Sequence, residues 1–224
     1  MDIVANINKI KSELPEGVKL VAVSKTKPNE DIMSAYNAGH KIFGENKVQD
    51  LVRKYEELPK DTEWHFIGHL QSNKVKYIAP FVYLIHAVDS FKLLKVINKE
   101  GMKNNRVINC LFQMHIAEEE TKFGMSFGEL TDILNADEFK ELKFVKIEGL
   151  MGMATNTPDK NQVRKEFSYL KSCFDKLGAD FFKGDTDFKY LSMGMSGDYK
   201  IAVEEGANIV RVGSLIFGAR NYGR

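Results

Sequence analysis

Cysteine is scarce in this chain of 224 residues. Its two thiols, Cys110 and Cys173, are too few and too far apart for a disulfide framework or a cysteine-rich metal site. An excess of either charge is also missing, since Lys+Arg 32 against Asp+Glu 31 leaves a formal net charge of +1. A general nucleic-acid or membrane-surface binder needs a concentrated basic field, so both classes are excluded. Long apolar runs are absent too. The longest apolar region, residues 77–88, is broken by Pro80 and His86 and is too short to span a bilayer. The first residues, Met1-Asp2-Ile3-Val4-Ala5-Asn6-Ile7, are too polar for a signal peptide, so a soluble, cytoplasmic protein is expected. No linker, low-complexity tract or composition shift divides the chain, and residues 1–224 read as one domain.

What is present is a regular alternation. Ile3, Ile7, Ile10 and Leu14 mark the apolar face of an N-terminal helix, which Gly17 ends. Strand-like segments follow at 19–24, 41–44, 64–68, 82–88, 107–115, 144–151, 190–193 and 209–213. Helical stripes lie between them, for example Val48, Leu51, Val52, Tyr55 and Leu58, or Val163, Phe167, Leu170, Phe174 and Leu177. Pro28 and Asn29 start one helix and Gly39 stops it; Ser90, Ser126 and Ser196 are candidate N-caps. The strands are apolar on both faces, as parallel strands covered by helices must be. Eight such units predict an α/β fold, a (β/α)8 barrel with an extra N-terminal helix. The rival is a doubly wound open sheet, which more often carries a glycine-rich turn after its first strand. Here Lys25 occupies that corner.

Lys25 lies where an apolar run ends, just before Pro28 turns the chain. A lysine buried there needs a partner or must lose its charge, and a neutral amine is a nucleophile toward aldehydes. The plain alternative is a snorkelling lysine with its ammonium in water.

In a barrel the site forms at the C-terminal ends of the strands, and the loops after strands seven and eight often hold phosphate. Here those loops contain Ser192-Met193-Gly194-Met195-Ser196-Gly197-Asp198 and Arg211-Val212-Gly213-Ser214. Small residues admit an anion to backbone N–H groups, and Ser196 is expected to open a helix whose N-terminus carries partial positive charge. Arg211 sits inside an apolar strand and can only donate hydrogen bonds. It therefore needs a phosphate, a carboxylate or a ring nitrogen, or else an ion pair with Glu45 or Glu148. Asn46 follows the second strand, as a ligand contact or an N-cap. His65 and His69 are four apart, but a strand and a glycine separate them, so the helical zinc pattern fails and no metal is expected. Lys122 is a further candidate cation near the mouth.

Six segments in order resemble one family: 21–28 (VAVSKTKP), 43–46 (FGEN), 64–74 (WHFIGHLQSNK), 149–151 (GLM), 191–196 (LSMGMS) and 210–220 (VRVGSLIFGAR). They are similar to the pyridoxal-phosphate homeostasis protein family, a single-domain relative of the alanine racemase N-terminal barrel. The resemblance implies that Lys25 holds pyridoxal 5′-phosphate as a Schiff base, with Ser196, Gly213 and Ser214 around the phosphate. It further implies Arg211 facing the pyridine nitrogen and Asn46 beside the cofactor. Two departures stand out: Phe123 replaces a commonly small residue, and Ser214 stands where threonine is common.

Pyridoxal enzymes that use the ring as an electron sink pair its nitrogen with a carboxylate, and an arginine there leaves the ring a poorer sink. A racemase also needs a second base on the opposite face, which in alanine racemase comes from another domain and a partner subunit. With the chain ending at Arg224, the expectation is a monomeric carrier and buffer of the cofactor, not an efficient enzyme, serving apo-enzymes that need it. The alternatives are a pyridoxal enzyme acting on amino acids, with His69 or Tyr199 as base, and a Schiff-base aldolase acting on a sugar phosphate.

Overall fold

In the computed structural model, which describes residues 2–119 and 123–219, all eight expected strands are present. They are β1 (Lys19–Val23), β2 (Ile42–Glu45), β3 (Glu63–Phe66), β4 (Leu84–Val88), β5 (Ile108–Met114), β6 (Val145–Gly152), β7 (Tyr190–Ser192) and β8 (Ile209–Val212). Each pairs in parallel with the next, and β8 closes on β1 with Val21 opposite Arg211. The fold is a (β/α)8 barrel, not an open sheet.

Strand alternation sorts the apolar residues into two layers. Leu20, Ala22, Phe43, Trp64 and Phe66 point outward into the main core beneath the helices. Val21, Leu84, Leu111, Met151 and Ile209 form a separate cluster inside the barrel. Burying each such side chain contributes about 1.5–3 kcal/mol, so the barrel is a filled core rather than a channel.

The N-terminal helix is Ile3–Glu13, with Ile3, Ile7 and Ile10 buried as their spacing requires. It packs against the helices that follow β1 and β8, and Asn6 Nδ2 donates to Ile216 O at 3.0 Å. Asp2 caps it by accepting from Ala5 N. The helix stops at Glu13, and Gly17 (φ 86) belongs to the turn that follows. Ser90 caps the helix Phe91–Lys103, and Ser126 forms a full capping box with Glu129. No helix among the described residues is long and apolar enough to cross a membrane.

Candidate functional site

Lys25, Asn46, Ser196, Arg211, Gly213 and Ser214, the six residues singled out from sequence, line one cavity of about 280 Å³ at the C-terminal ends of the strands. Val23, Ile67, Met153 and Met195 supply its apolar wall.

Lys25 is not on a strand. β1 ends at Val23, and Lys25 is half-buried in a turn closed by Lys27 N donating to Ser24 O at 3.0 Å. Thr26, third in that turn, has φ 65. A β-branched residue is rare in the left-handed region, so neighbouring structure must hold it there.

Arg211 enters the barrel from β8 and is 3% exposed. Its Nη1 donates to Ser192 Oγ at 2.6 Å and its Nη2 to Gly152 O at 3.1 Å. It makes no ion pair with Glu45 or Glu148: Glu45 pairs with Lys54 on the far side of β2, and Glu148 lies toward Lys146 and Lys189. Burial lowers the guanidinium to about 10, with Asp198 opposing the shift, so it stays a cation at neutral pH.

Behind Arg211 runs a buried chain of polar side chains. His86 Nδ1 lies 2.9 Å from Ser192 Oγ, and His86 Nε2 lies 2.8 Å from His65 Nδ1. Because Arg211 can only donate, Ser192 Oγ accepts from it, and the two remaining contacts take their direction from the histidine tautomers. Burial holds His65 down to about 3 and His86 well below the ordinary range, so both rings are neutral.

The two loops behave differently from a pair of helix caps. The helix after β7 begins at Tyr199, with Asp198 at its N-cap position, so Ser196 does not cap it. Ser196 Oγ instead accepts from Gly213 N at 3.2 Å, joining the loops after β7 and β8. Gly194 permits this course: its φ is 89, and a Cβ there would lie 2.6 Å from Ala202 Cβ. Ser214 opens the short helix Ser214–Phe217. Hydroxyls and first-turn N–H groups thus gather opposite the amine of Lys25, a donor set suited to an anion.

Asn46 does not cap the helix Val48–Glu57 either; Lys47 holds that position. Gly68 brings the loop after β3 against it, since a Cβ on Gly68 would lie 2.4 Å from Asn46 O. The other candidates fall elsewhere. Tyr199 donates to Glu13 Oε2, away from the cavity. His69 pairs with Asp89 at 2.9 Å and stacks on the exposed Phe123 ring at 4.1 Å. Neither lines the cavity. Lys122 lies outside the described residues. Among the described residues, no cluster of His, Cys, Asp or Glu could hold a metal ion. A larger hollow of about 800 Å³ behind Ser196 is lined in part by ion pairs, Lys200 with Glu13 and Arg164 with Glu204 and Glu205.

Residues 2–221 match the family "alanine racemase, N-terminal domain". The pyridoxal phosphate homeostasis protein of Aquifex aeolicus is 43% identical over 205 residues, 91% of this chain and 88% of that one. The chain belongs to the pyridoxal phosphate homeostasis protein family. The solved structure of another member, PipY from Synechococcus elongatus with PLP bound, aligns with a TM-score of 0.88 at 33% identity. That alignment covers 96% of this chain and 100% of PipY. Alanine racemase from Bartonella henselae, at 16% identity and a TM-score of 0.73, shares the fold.

Within this family member, sequence reading missed the groups behind the cavity wall. Ser192 and His86 meet across 106 residues of chain, and no local pattern encodes that contact. Lys54 left a readable signal. It falls on the apolar stripe between Leu51 and Leu58, where a lysine must bury its charge or bend out to water.

Proposed function

We propose that this protein binds pyridoxal 5′-phosphate reversibly, as a Schiff base on Lys25, and serves cytoplasmic homeostasis of the cofactor as a monomeric carrier and buffer. The observation that carries this reading is the convergence of Lys25, Arg211, Ser196, Gly213 and Ser214 on one cavity. The family relatives named for pyridoxal phosphate homeostasis, and PipY with its PLP, support it.

The residues present fit the group. An aldehyde needs an amine, a phosphate needs hydroxyl and N–H donors, and a pyridine nitrogen offers an acceptor to a guanidinium whose five N–H groups exceed its two partners here. Lys25 would hold the aldehyde through its amine as a hydrolysable C=N link, with one water released on binding and taken up again on release. Ser196, Gly213 and Ser214 would hold the phosphate, and Asn46 would lie beside the ring. Arg211, a cation, would face the ring nitrogen and disfavour protonation there.

The cavity also favours holding over turnover. Among the described residues that line it, the ionisable side chains are Lys25, Lys27 and Arg211. Lys27 is occupied with Phe217 O at 2.6 Å and Ala219 O at 3.1 Å. A racemase needs an acid–base group on each face of its substrate, and this wall supplies one on the Lys25 side. We infer delivery of the cofactor to apo-enzymes from the reversibility of the linkage. All six residues come from one chain, which is why a monomer suffices.

The test is the visible spectrum of the purified protein with pyridoxal 5′-phosphate, then borohydride reduction and peptide mapping. A lysine-bound band and a reduced adduct on Lys25 are expected. No band would overturn the ligand, an adduct on another lysine the site, and turnover of amino acids far above the free cofactor's own rate the carrier role.

A further inference from the structure

Lys54 is 1% exposed and Glu45 is fully buried, and they form an ion pair at 2.7 Å beneath the ends of β1 and β2. A buried ion pair is weak evidence for stability, because desolvation offsets much of its attraction. What this pair touches points to another use. Lys54 Nζ donates at 2.8 Å to Ser24 O, the same carbonyl that accepts from Lys27 N to close the turn carrying Lys25. Ser24 Oγ donates to Glu45 Oε1 at 2.6 Å, so both ends of Ser24 are held. Glu45 in turn immediately precedes Asn46, which lines the cavity from the neighbouring strand's end. Thr26 keeps φ 65 inside this clamp.

We propose that Lys54 is a positioning residue for Lys25. Its ammonium fixes the carbonyl on which the turn closes, keeps Thr26 in the left-handed region, and so aims the Lys25 amine into the cavity. The inference rests on the reading of Lys25 as the Schiff-base lysine. Lys54 itself does not line the cavity and touches no ligand position.

The experiment compares two probes. Pyridoxal 5′-phosphate can condense with Lys25; pyridoxine 5′-phosphate, an alcohol, occupies the same phosphate and ring contacts without condensing. Wild-type protein is measured first, and absence of a lysine-bound band there overturns the Lys25 reading, and this inference with it, before any variant is made. In Lys54→Met, the affinity read from the covalent band is expected to fall at least about tenfold, while pyridoxine 5′-phosphate affinity stays within about threefold. Equal losses for both probes would mark a general structural role and overturn the inference. So would an unchanged covalent affinity. If the single variant does not fold, Lys54→Met/Glu45→Gln takes its place, since removing both charges leaves neither buried alone and Ser24 keeps an acceptor. Failure of both variants to fold would show the pair to be purely structural, which also overturns the inference.

Discussion

Ser192 Oγ sits between Arg211 Nη1 at 2.6 Å and His86 Nδ1 at 2.9 Å, all three side chains buried inside the barrel. One hydroxyl therefore bonds both a cation and a neutral imidazole. Ser192→Ala removes both contacts without opening room for water. It is expected to destabilise the fold by about 1.5–3 kcal/mol, the usual worth of a buried hydrogen bond to a charged group. Urea unfolding of the ligand-free protein checks this, and a change below about 0.5 kcal/mol would contradict the bonding role given to Ser192.

Acid should unfold the protein earlier than surface titration alone would. Burial lowers His40 to about 4 and His65 to about 3, and His86 shifts the same way. Below their ordinary 6.5 these imidazoles take protons more readily in the unfolded chain, so the unfolded state binds more protons. Stability is then complete above about pH 6.5 and falls with acid, by up to about 1.4 kcal/mol per pH unit for each histidine. Glu45 and Glu148, raised by burial, work in the opposite direction above 4.5, but they are two carboxyls against three imidazoles. Denaturant midpoints from about pH 7.5 down to about pH 5 should decline steadily; a flat profile would refute neutral burial of the histidines.

Removing the covalent link should not abolish binding. Lys25→Ala is expected to eliminate the lysine-bound band yet retain phosphate-anchored binding of pyridoxal 5′-phosphate. Ser214→Ala should do the reverse, keeping the band at saturation while lowering affinity about tenfold or more, as loss of one hydrogen bond to a charged group does. Spectral titration and equilibrium dialysis separate the two effects. Full retention of the band in Lys25→Ala would place the linkage elsewhere.

Gly68 tests how closely the loops after β2 and β3 must approach. In Gly68→Ala the new methyl would meet Asn46 O, Cα and Cβ at 2.4, 2.8 and 2.8 Å, and backbone cannot yield as a flexible side chain would. A loss of about 1–3 kcal/mol in thermal or urea unfolding is expected, with weaker ligand binding as Asn46 moves. An unperturbed melting temperature would mean that the loop relaxes freely.

The barrel was legible in the sequence because its strands are apolar on both faces and each helix carries its own stripe. Five strand ends came out one or two residues long, since pairing stops where a turn begins rather than where hydrophobicity does, while β2 and β6 run one residue further than expected. The six cavity residues were legible for a related reason: five follow the strands, where a barrel gathers its loops whatever their spacing, and Arg211 lies near the end of β8. Ser196 misled, because a small hydroxyl before a helix reads as a cap, whereas its oxygen is spent on Gly213 N from another loop. The Arg211–Ser192–His86–His65 chain could not be read at all. Arg211 stood out as a donor in need of an acceptor, but its partners look like ordinary strand residues, and only the inward turn of four separate strands brings them together.

β1 and β8 meet across nearly the full length of the chain, with Lys27 reaching Phe217 O from 190 residues away. Lys25 lies on one side of that seam and Ser214 on the other. A molecule tied to both would act as a cross-link between the chain's first and last strands, and its binding would stabilise the seam where the barrel closes.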